Sequence, residues 1–330
     1  MWKVRNHRND TELRRFEEAV IHPLWTLLRL AYTTGRSIDQ LTSDAEPTLI
    51  AALSLRRKGA TLCQILDLLV RETTNDVDLW VQAYESQAQA IRAGRAPVLL
   101  VTPPRLSDVF SKYLYEEGLT DPAIWDGIRG NTFTRKEFYE NFQLDNPVVP
   151  ACPYCDLDSI NAVSNCNIEH FLPRSKFPFL SLNALNMFPS CHGCNGFWEG
   201  KGTHYSVEIP SLLNNQYGDD VAFNFDPTKA RISLSSMSGN THTLQFIDLM
   251  QLERRYGCSH VYAAVCRAGS VLFDTFTQNE FDPAEAQAYV STVRAGAPMQ
   301  FAICAYVYDM VTYLGSGTTA GAGRGHGEPG

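Results

Sequence analysis

Over residues 1 to 148 the apolar positions recur at steps of three and four, the spacing of helices with one buried face. Leu13, Phe16 and Val20 share a face. After Pro23, so do Leu24, Leu27, Leu28 and Ala31. The segments TLCQILDLLVRE (61–72) and LSDVFSKYLYEEGL (106–119) repeat the pattern, with Leu106, Val109, Phe110, Tyr113 and Leu114 in one stripe. The short apolar run PVLLV (97–101) reads either as a strand or as a connector. QLDNPVVPA (143–151), with two prolines, marks a boundary. From Cys152 to about His204 the chain is short-segmented and turn-rich. VAFNF and RISL then alternate in hydropathy on either side of DPTKA, which predicts a hairpin, and from Thr241 to Leu314 the helical pattern returns. The tail GSGTTAGAGRGHGEPG is glycine-rich and is expected to be disordered. There is no internal repeat.

The expected fold is therefore α+β, with mainly helical flanks around a small centre. The segments are a helical domain at 1–148, a compact core at 149–205, a hairpin with a helical domain at 206–314, and the tail at 315–330.

At 330 residues the chain is long enough for two or three compact units. Its first residues, MWKVRNHRNDTELRRFEE, contain no apolar secretory stretch. The most apolar late segment, MQFAICAYVYDMVTYL (299–314), is short for a membrane span and is interrupted by Tyr308 and Asp309. These features predict a cytoplasmic protein with no membrane contact. The late segment reads as a buried core helix or as an interface for self-association or another subunit. The formal charge of −8 means that the chain as a whole does not attract nucleic acid, so any such contact needs a local basic patch or a partner's surface.

Nine cysteines include two C-x-x-C pairs, Cys152/Cys155 and Cys191/Cys194, with 35 residues between them. In a chain without a signal this favours metal over disulfides. Four thiolates suit tetrahedral zinc, and a closed four-cysteine site is structural because no coordination position stays open. Cys63, Cys166, Cys258, Cys266 and Cys304 sit singly and read as core packing. Between the pairs lie Glu169, His170 and Pro173 in NIEHFLPRSK, then Asn186. Asn195 follows the last cysteine directly, with Lys201 six residues on.

This constellation resembles the HNH endonucleases, whose pattern is an acidic residue and His, then Pro, Asn, and C-x-x-C-Asn with a nearby Lys. It is similar to the subgroup in which two C-x-x-C pairs bind zinc around a ββα-metal core. The resemblance covers about 50 of the 330 residues. It implies a β-hairpin with His170 at the end of its first strand and Asn186 on the second, followed by a helix opening at Cys191–Asn195. It implies His170 as the general base, Asn186 as a brace for the loop carrying that base, and Glu169 and Asn195 as ligands of a catalytic Mg²⁺ or Mn²⁺. Glu169 stands where Asp is commoner. Arg174, Lys176 and Lys201 read as phosphate contacts or as ordinary surface. His192 has no required role, and His204 is a candidate helper of the metal.

The function so implied is metal-dependent hydrolysis of DNA phosphodiester bonds. The alternatives are a non-catalytic zinc module that binds nucleic acid or protein, an interaction scaffold built on the helical flanks, and McrA-like restriction of modified DNA. The flanks are similar in organisation to the HNH subunits of Septu-type and retron-associated anti-phage systems. That similarity implies an ABC-type ATPase as a partner alongside DNA.

Overall fold

The computed structural model describes residues 1–43, 45–72, 77–149, 151–160, 164, 166–196, 200–279, 281–293 and 299–315. Helix α1 (His7–Phe16) runs through widened π-type turns at Glu17–Ile21 into α2 (His22–Thr34). The widening has a local cause. Pro23 has no N–H to donate, and the residue before it, His22, bonds back five residues to Glu17 O. Gly35, at φ +67°, ends α2 in the left-handed region that glycine adopts without strain.

Next come α3 (Ile38–Leu41), α4 (Pro47–Leu53), the two-residue strands β1 (Arg56–Arg57) and β2 (Ala60–Thr61), α5 (Leu62–Glu72) and α6 (Val77–Arg92). α7 (Pro104–Asp108) continues into a second π-type stretch, Val109–Gly118, followed by α8 (Pro122–Arg129) and α9 (Arg135–Asp145). The stripes expected from the sequence close on one another here: Leu13, Phe16, Leu24 and Leu28 share a first core with Leu106, Phe110 and Leu114. Pro97–Val101 forms no strand. It is a connector, with Val98, Leu99 and Val101 exposed.

The central unit is an antiparallel hairpin of β3 (Cys166–His170) and β4 (Met187–Cys191), in register from Cys166↔Cys191 to His170↔Met187. α10 (His192–Asn195) follows β4 directly, with Cys191 as its N-cap. A second hairpin pairs β5 (Val221–Asp226) with β6 (Arg231–Ser236), as the alternation predicted. Then come α11 (Thr241–Leu249), α12 (Leu252–Tyr256), α13 (Ser259–Gln278), α14 (Pro283–Val293) and α15 (Gln300–Gly315). α15 is a core helix: Phe301, Ala302, Ile303, Val307 and Val311 are buried. Among the described residues no helix is long and apolar enough to cross a membrane. The tail from residue 316 lies outside the described residues. The architecture is mixed and mostly helical with small antiparallel sheets, consistent with α+β.

Successive residues of a strand face opposite ways, and the central hairpin uses this to serve two cores. Met187 packs into the first core; its neighbour Phe188 packs into a second core with Phe223, Phe246, Tyr256 and Phe301. The extended residues 1–6 run along the second core, with Trp2 N donating to Pro153 O at 2.8 Å and Val4 N to Leu212 O at 2.9 Å. Asp156 joins both ends of the chain to the centre. Its Oδ1 accepts from Trp2 Nε1 at 2.7 Å and its Oδ2 from Phe301 N at 3.0 Å.

Asn6 is the bolt between this segment and the hairpin. Its Nδ2 donates to Ala184 O at 2.7 Å and Met187 O at 2.9 Å, and its Oδ1 accepts from Asn9 Nδ2 at 2.8 Å. Asn6→Ala takes the side-chain donor from Met187 O and one of two donors from Ala184 O, which keeps Met187 N, so it should lower stability by about 1–3 kcal/mol. Lys3→Ala on the exposed side of the same segment should stay within about 0.5 kcal/mol. Urea unfolding midpoints of the two variants test the difference, and equal midpoints would contradict it.

Candidate active site and metal centre

The fold brings the two C-x-x-C pairs together. Cys152 and Cys155 lie in a turn closed by Cys152 N donating to Asp158 O at 2.8 Å. Cys191 ends β4, and Cys194 sits one turn into α10. All four are buried, and their Sγ atoms lie within 4.8 Å of one another. The Cys155–Cys191 Sγ separation is 3.8 Å. A tetrahedron with Zn–S arms of about 2.3 Å has edges of about 3.8 Å, so the set fits a metal ion of that geometry. Backbone N–H groups of Leu157, Cys191 and Cys194 point at the sulfurs of Cys155, Cys152 and Cys191 at 3.3, 3.4 and 3.4 Å.

A second shell comes from α12. Arg255 Nη1 lies 2.8 Å from Cys194 Sγ and 3.5 Å from Cys191 Sγ, while Nη2 pairs with Asp158 at 2.5 Å. Burial works against this guanidinium's charge. The Cys155, Cys194 and Cys191 thiolates and Asp158 outweigh burial and hold its pKa above the ordinary value. The same contact explains the glycine of CHGC: a Cβ on Gly193 would sit 2.8 Å from Arg255 Nη2. Sequence reasoning missed Arg255 because it lies 61 residues from Cys194 and carries no local motif.

His170 ends β3, and its side chain is enclosed. Nε2 lies 2.9 Å from Ser181 O, a group that only accepts, so Nε2 carries the proton and Nδ1 keeps its lone pair. The ring meets Tyr115 edge-on, with centroids 4.7 Å apart. Burial pushes its pKa down to about 3. The Ser181 bond opposes the shift, and the charges of Arg174, Lys201 and Arg135 add to it. The loop after His170 is tied by Asn186: Leu172 N donates to Asn186 Oδ1 at 2.8 Å, and Asn186 Nδ2 donates to Leu172 O at 2.9 Å. Asn186 is not on the second strand as expected. It closes a one-turn 3₁₀ helix, Ala184–Asn186, capped by Asn183, immediately before β4.

Glu169, the neighbour of His170, has a different partner. Its Oε1 lies 2.6 Å from Lys201 Nζ, and the Lys201 side chain is 0% exposed. Burial raises the Glu169 pKa, and Lys201 pulls it back in part. Lys201 is held at this place by the cysteine turn: Lys201 N donates to Cys194 O at 3.1 Å. A Cβ on Gly200 would sit 2.1 Å from that same oxygen. As arranged, Glu169 does not fit a divalent cation, since an ammonium already neutralises it. Lys201, with no exposed surface, is turned to Glu169 in this arrangement rather than outward.

Arg174 is also committed. It pairs with Glu116 at 2.5 Å, donates to Ser111 O at 2.7 Å, and lies 5.0 Å from the Tyr115 ring centre. Lys176 and His204 are exposed. Asn195 is half-buried at the end of α10, with no side-chain hydrogen bond among the described residues. His192 bonds Asn167 Nδ2 at 2.9 Å and Ser164 O at 3.2 Å, on the outside of the hairpin. The fold thus gathers His170, Asn186, Glu169 and Lys201 around the end of β3, and leaves Lys176 and His204 at the surface.

No protein-family model and no solved structure matches the chain. Over 103 residues it is 32% identical to the Septu protein PtuB of Bacillus thuringiensis, a match covering 31% of this chain and 38% of that protein. The chain thus aligns with little more than a third of the length of the curated relative it matches. This is a weak homology to a Septu protein, and it stands beside a four-cysteine site able to hold a metal ion.

Two outcomes are expected. Arg255→Gln should weaken zinc retention about 10–100-fold, measured by competition with a chromogenic chelator, because an outer-shell charge is lost while all four ligands remain. An unchanged affinity would remove Arg255 from the metal centre. The second concerns acid. In the unfolded chain His170 takes up a proton near 6.5, and in the fold only near 3. Between these values the unfolded state holds more protons, so stability falls as pH drops from about 6.5 to about 3. Melting temperatures of His170→Gln against the parent chain should show a shallower acid limb in that window.

Proposed function

We propose that the chain is an HNH-type endonuclease that hydrolyses DNA phosphodiester bonds, acting in bacterial anti-phage defence with a partner subunit. One observation carries the reading. A neutral imidazole stands at the end of a zinc-clamped hairpin, with its Nε2 proton held by Ser181 O and its Nδ1 lone pair uncommitted among the described residues. A base that removes a proton from water needs that tautomer. Water oxygen attacks phosphorus while its proton passes to His170 Nδ1. The bond from phosphorus to the leaving oxygen breaks, and that oxygen takes up a proton. Asn186 fixes the loop from Leu172 to Leu180 and so fixes Ser181 O, which orients the ring. The similarity to a Septu protein supports the defence setting, and the resemblance to Septu-type HNH subunits supports an ABC-type ATPase as the partner.

His170 is only 6% exposed, so the reading entails movement of Tyr115 or of the loop after His170 when substrate arrives. It also entails release of Glu169 from Lys201 before that carboxylate meets a cation. The same enclosure favours the second reading, a zinc module that binds without cutting. Plasmid nicking in Mg²⁺ or Mn²⁺, with and without the partner subunit, separates the two. His170→Ala should abolish nicking and leave zinc content unchanged. Nicking by His170→Ala at the parent rate would sink the mechanism, and no nicking by the parent chain under any of these conditions would favour the binding module.

A further inference from the structure

The basic residues that the motif offered to a polyanion are unavailable or few. Lys201 is sealed, Arg174 is paired to Glu116, and Lys176 stands alone. A second set of basic side chains lies elsewhere. In the extended segment 1–6, Trp2, Val4 and Asn6 point inward and are buried, so by strand-like alternation Lys3 and Arg5 point outward. His7, at the start of α1, is exposed beside them. Lys3, Arg5 and His7 have no ion pair among the described residues, whereas nearby Arg8, Arg14 and Arg92 are paired to Asp145, Asp10 and Glu17.

These three side chains line a groove of about 850 Å³ with amides such as Asn146 and Asn214, an apolar wall that includes Val148 and Leu185, and the carboxylates of Asp10 and Asp145, which are paired to Arg14 and Arg8. Its floor is fixed. Arg5 N donates to Asn146 Oδ1 at 2.8 Å, Asn146 Nδ2 donates to Arg5 O at 2.7 Å, and Asn6 holds Ala184 O and Met187 O on either side of the Asn186 turn. A concave, preorganised surface on which Lys3 and Arg5 are unpaired among the described residues, while its carboxylates are already paired, suits a backbone of repeated phosphates. An anionic membrane surface is flat, whereas these cations line a concavity.

We infer that the Lys3–Arg5–His7 groove binds the phosphodiester backbone of DNA and delivers the strand to the hairpin beside it. The inference rests on the nuclease reading only for the choice of polyanion. The test is therefore binding, measured without added divalent cation in the zinc-loaded full chain carrying His170→Ala. Fluorescence anisotropy with single- and double-stranded DNA oligonucleotides is followed from 50 to 200 mM salt. Lys3→Gln with Arg5→Gln should lower affinity about tenfold or more and reduce the slope of log affinity against log salt by about two. Lys136→Gln, at an exposed helix position paired to Glu140, should change neither. Lys3→Arg with Arg5→Lys should keep the parent affinity, which separates charge from fold, and zinc content and melting temperature report folding in every variant.

Equal binding by the Lys3→Gln/Arg5→Gln variant and its parent would overturn the proposal, as would an equal loss on Lys136→Gln. ATP displacing DNA at equal concentration of phosphate groups, or anionic vesicles binding in its place, would also overturn it, since the groove would then serve a free nucleotide or a lipid surface. A parent chain that binds DNA through Lys3 and Arg5 but never cuts would uphold the groove and reject the nuclease.

Discussion

Everything in the centre of this chain depends on bringing four sulfurs to within 4.8 Å of one another. The hairpin β3–β4 has five residue pairs and a connection that is mostly irregular, too little to hold its own register in water. A metal held at Cys152, Cys155, Cys191 and Cys194 would tie the turn before β3 to the end of β4 and to the start of α10. Metal binding there is folding free energy, because the ligands converge only in the fold. The charge of four thiolates exceeds that of one Zn²⁺ by two. Arg255 answers part of that excess from a helix in the second core, so the metal centre also docks the C-terminal helices.

The hairpin then divides its attention. His170 meets Tyr115 on the π-type stretch of the first core, while Glu169 meets Lys201 on the return from the zinc turn. Adjacent residues are thus held by different parts of the chain, one by the N-terminal helices and one by the metal loop. The 3₁₀ turn at Ala184–Asn186, locked from outside by Asn6 and from inside by Asn186, is the stiff point between them.

Much of this was readable in the sequence, and the limit has a physical form. Helical stripes such as Leu24, Leu27, Leu28 and Ala31 were legible because burial repeats with the helix period. The β5–β6 hairpin was legible because alternation and a turn sit side by side. The cysteine pairs were legible because metal ligands come at fixed local spacings. What stayed hidden were contacts between distant residues. Nothing around Arg255 signals a sulfur partner, nothing around Asn6 signals Ala184 and Met187, and the Lys201 side chain reads as solvated until the chain is seen to fold back over Gly200. Pro97–Val101 was ambiguous for a simpler reason: five apolar residues suit a strand only if a neighbouring strand exists, and none does among the described residues.

Asp156 has a bearing on time as well as on space. One of its carboxylate oxygens serves Trp2, 154 residues earlier, and the other serves Phe301, 145 residues later. On the ribosome the zinc loop and the helices before it can assemble while the rest of the chain is still being made. At roughly 5–20 residues per second, residue 301 follows residue 156 by on the order of ten seconds. Until then the second core lacks α15 and one carboxylate oxygen lacks its donor. The hairpin is therefore shaped early, while the core behind its Phe188 face is completed only once α15 has been made.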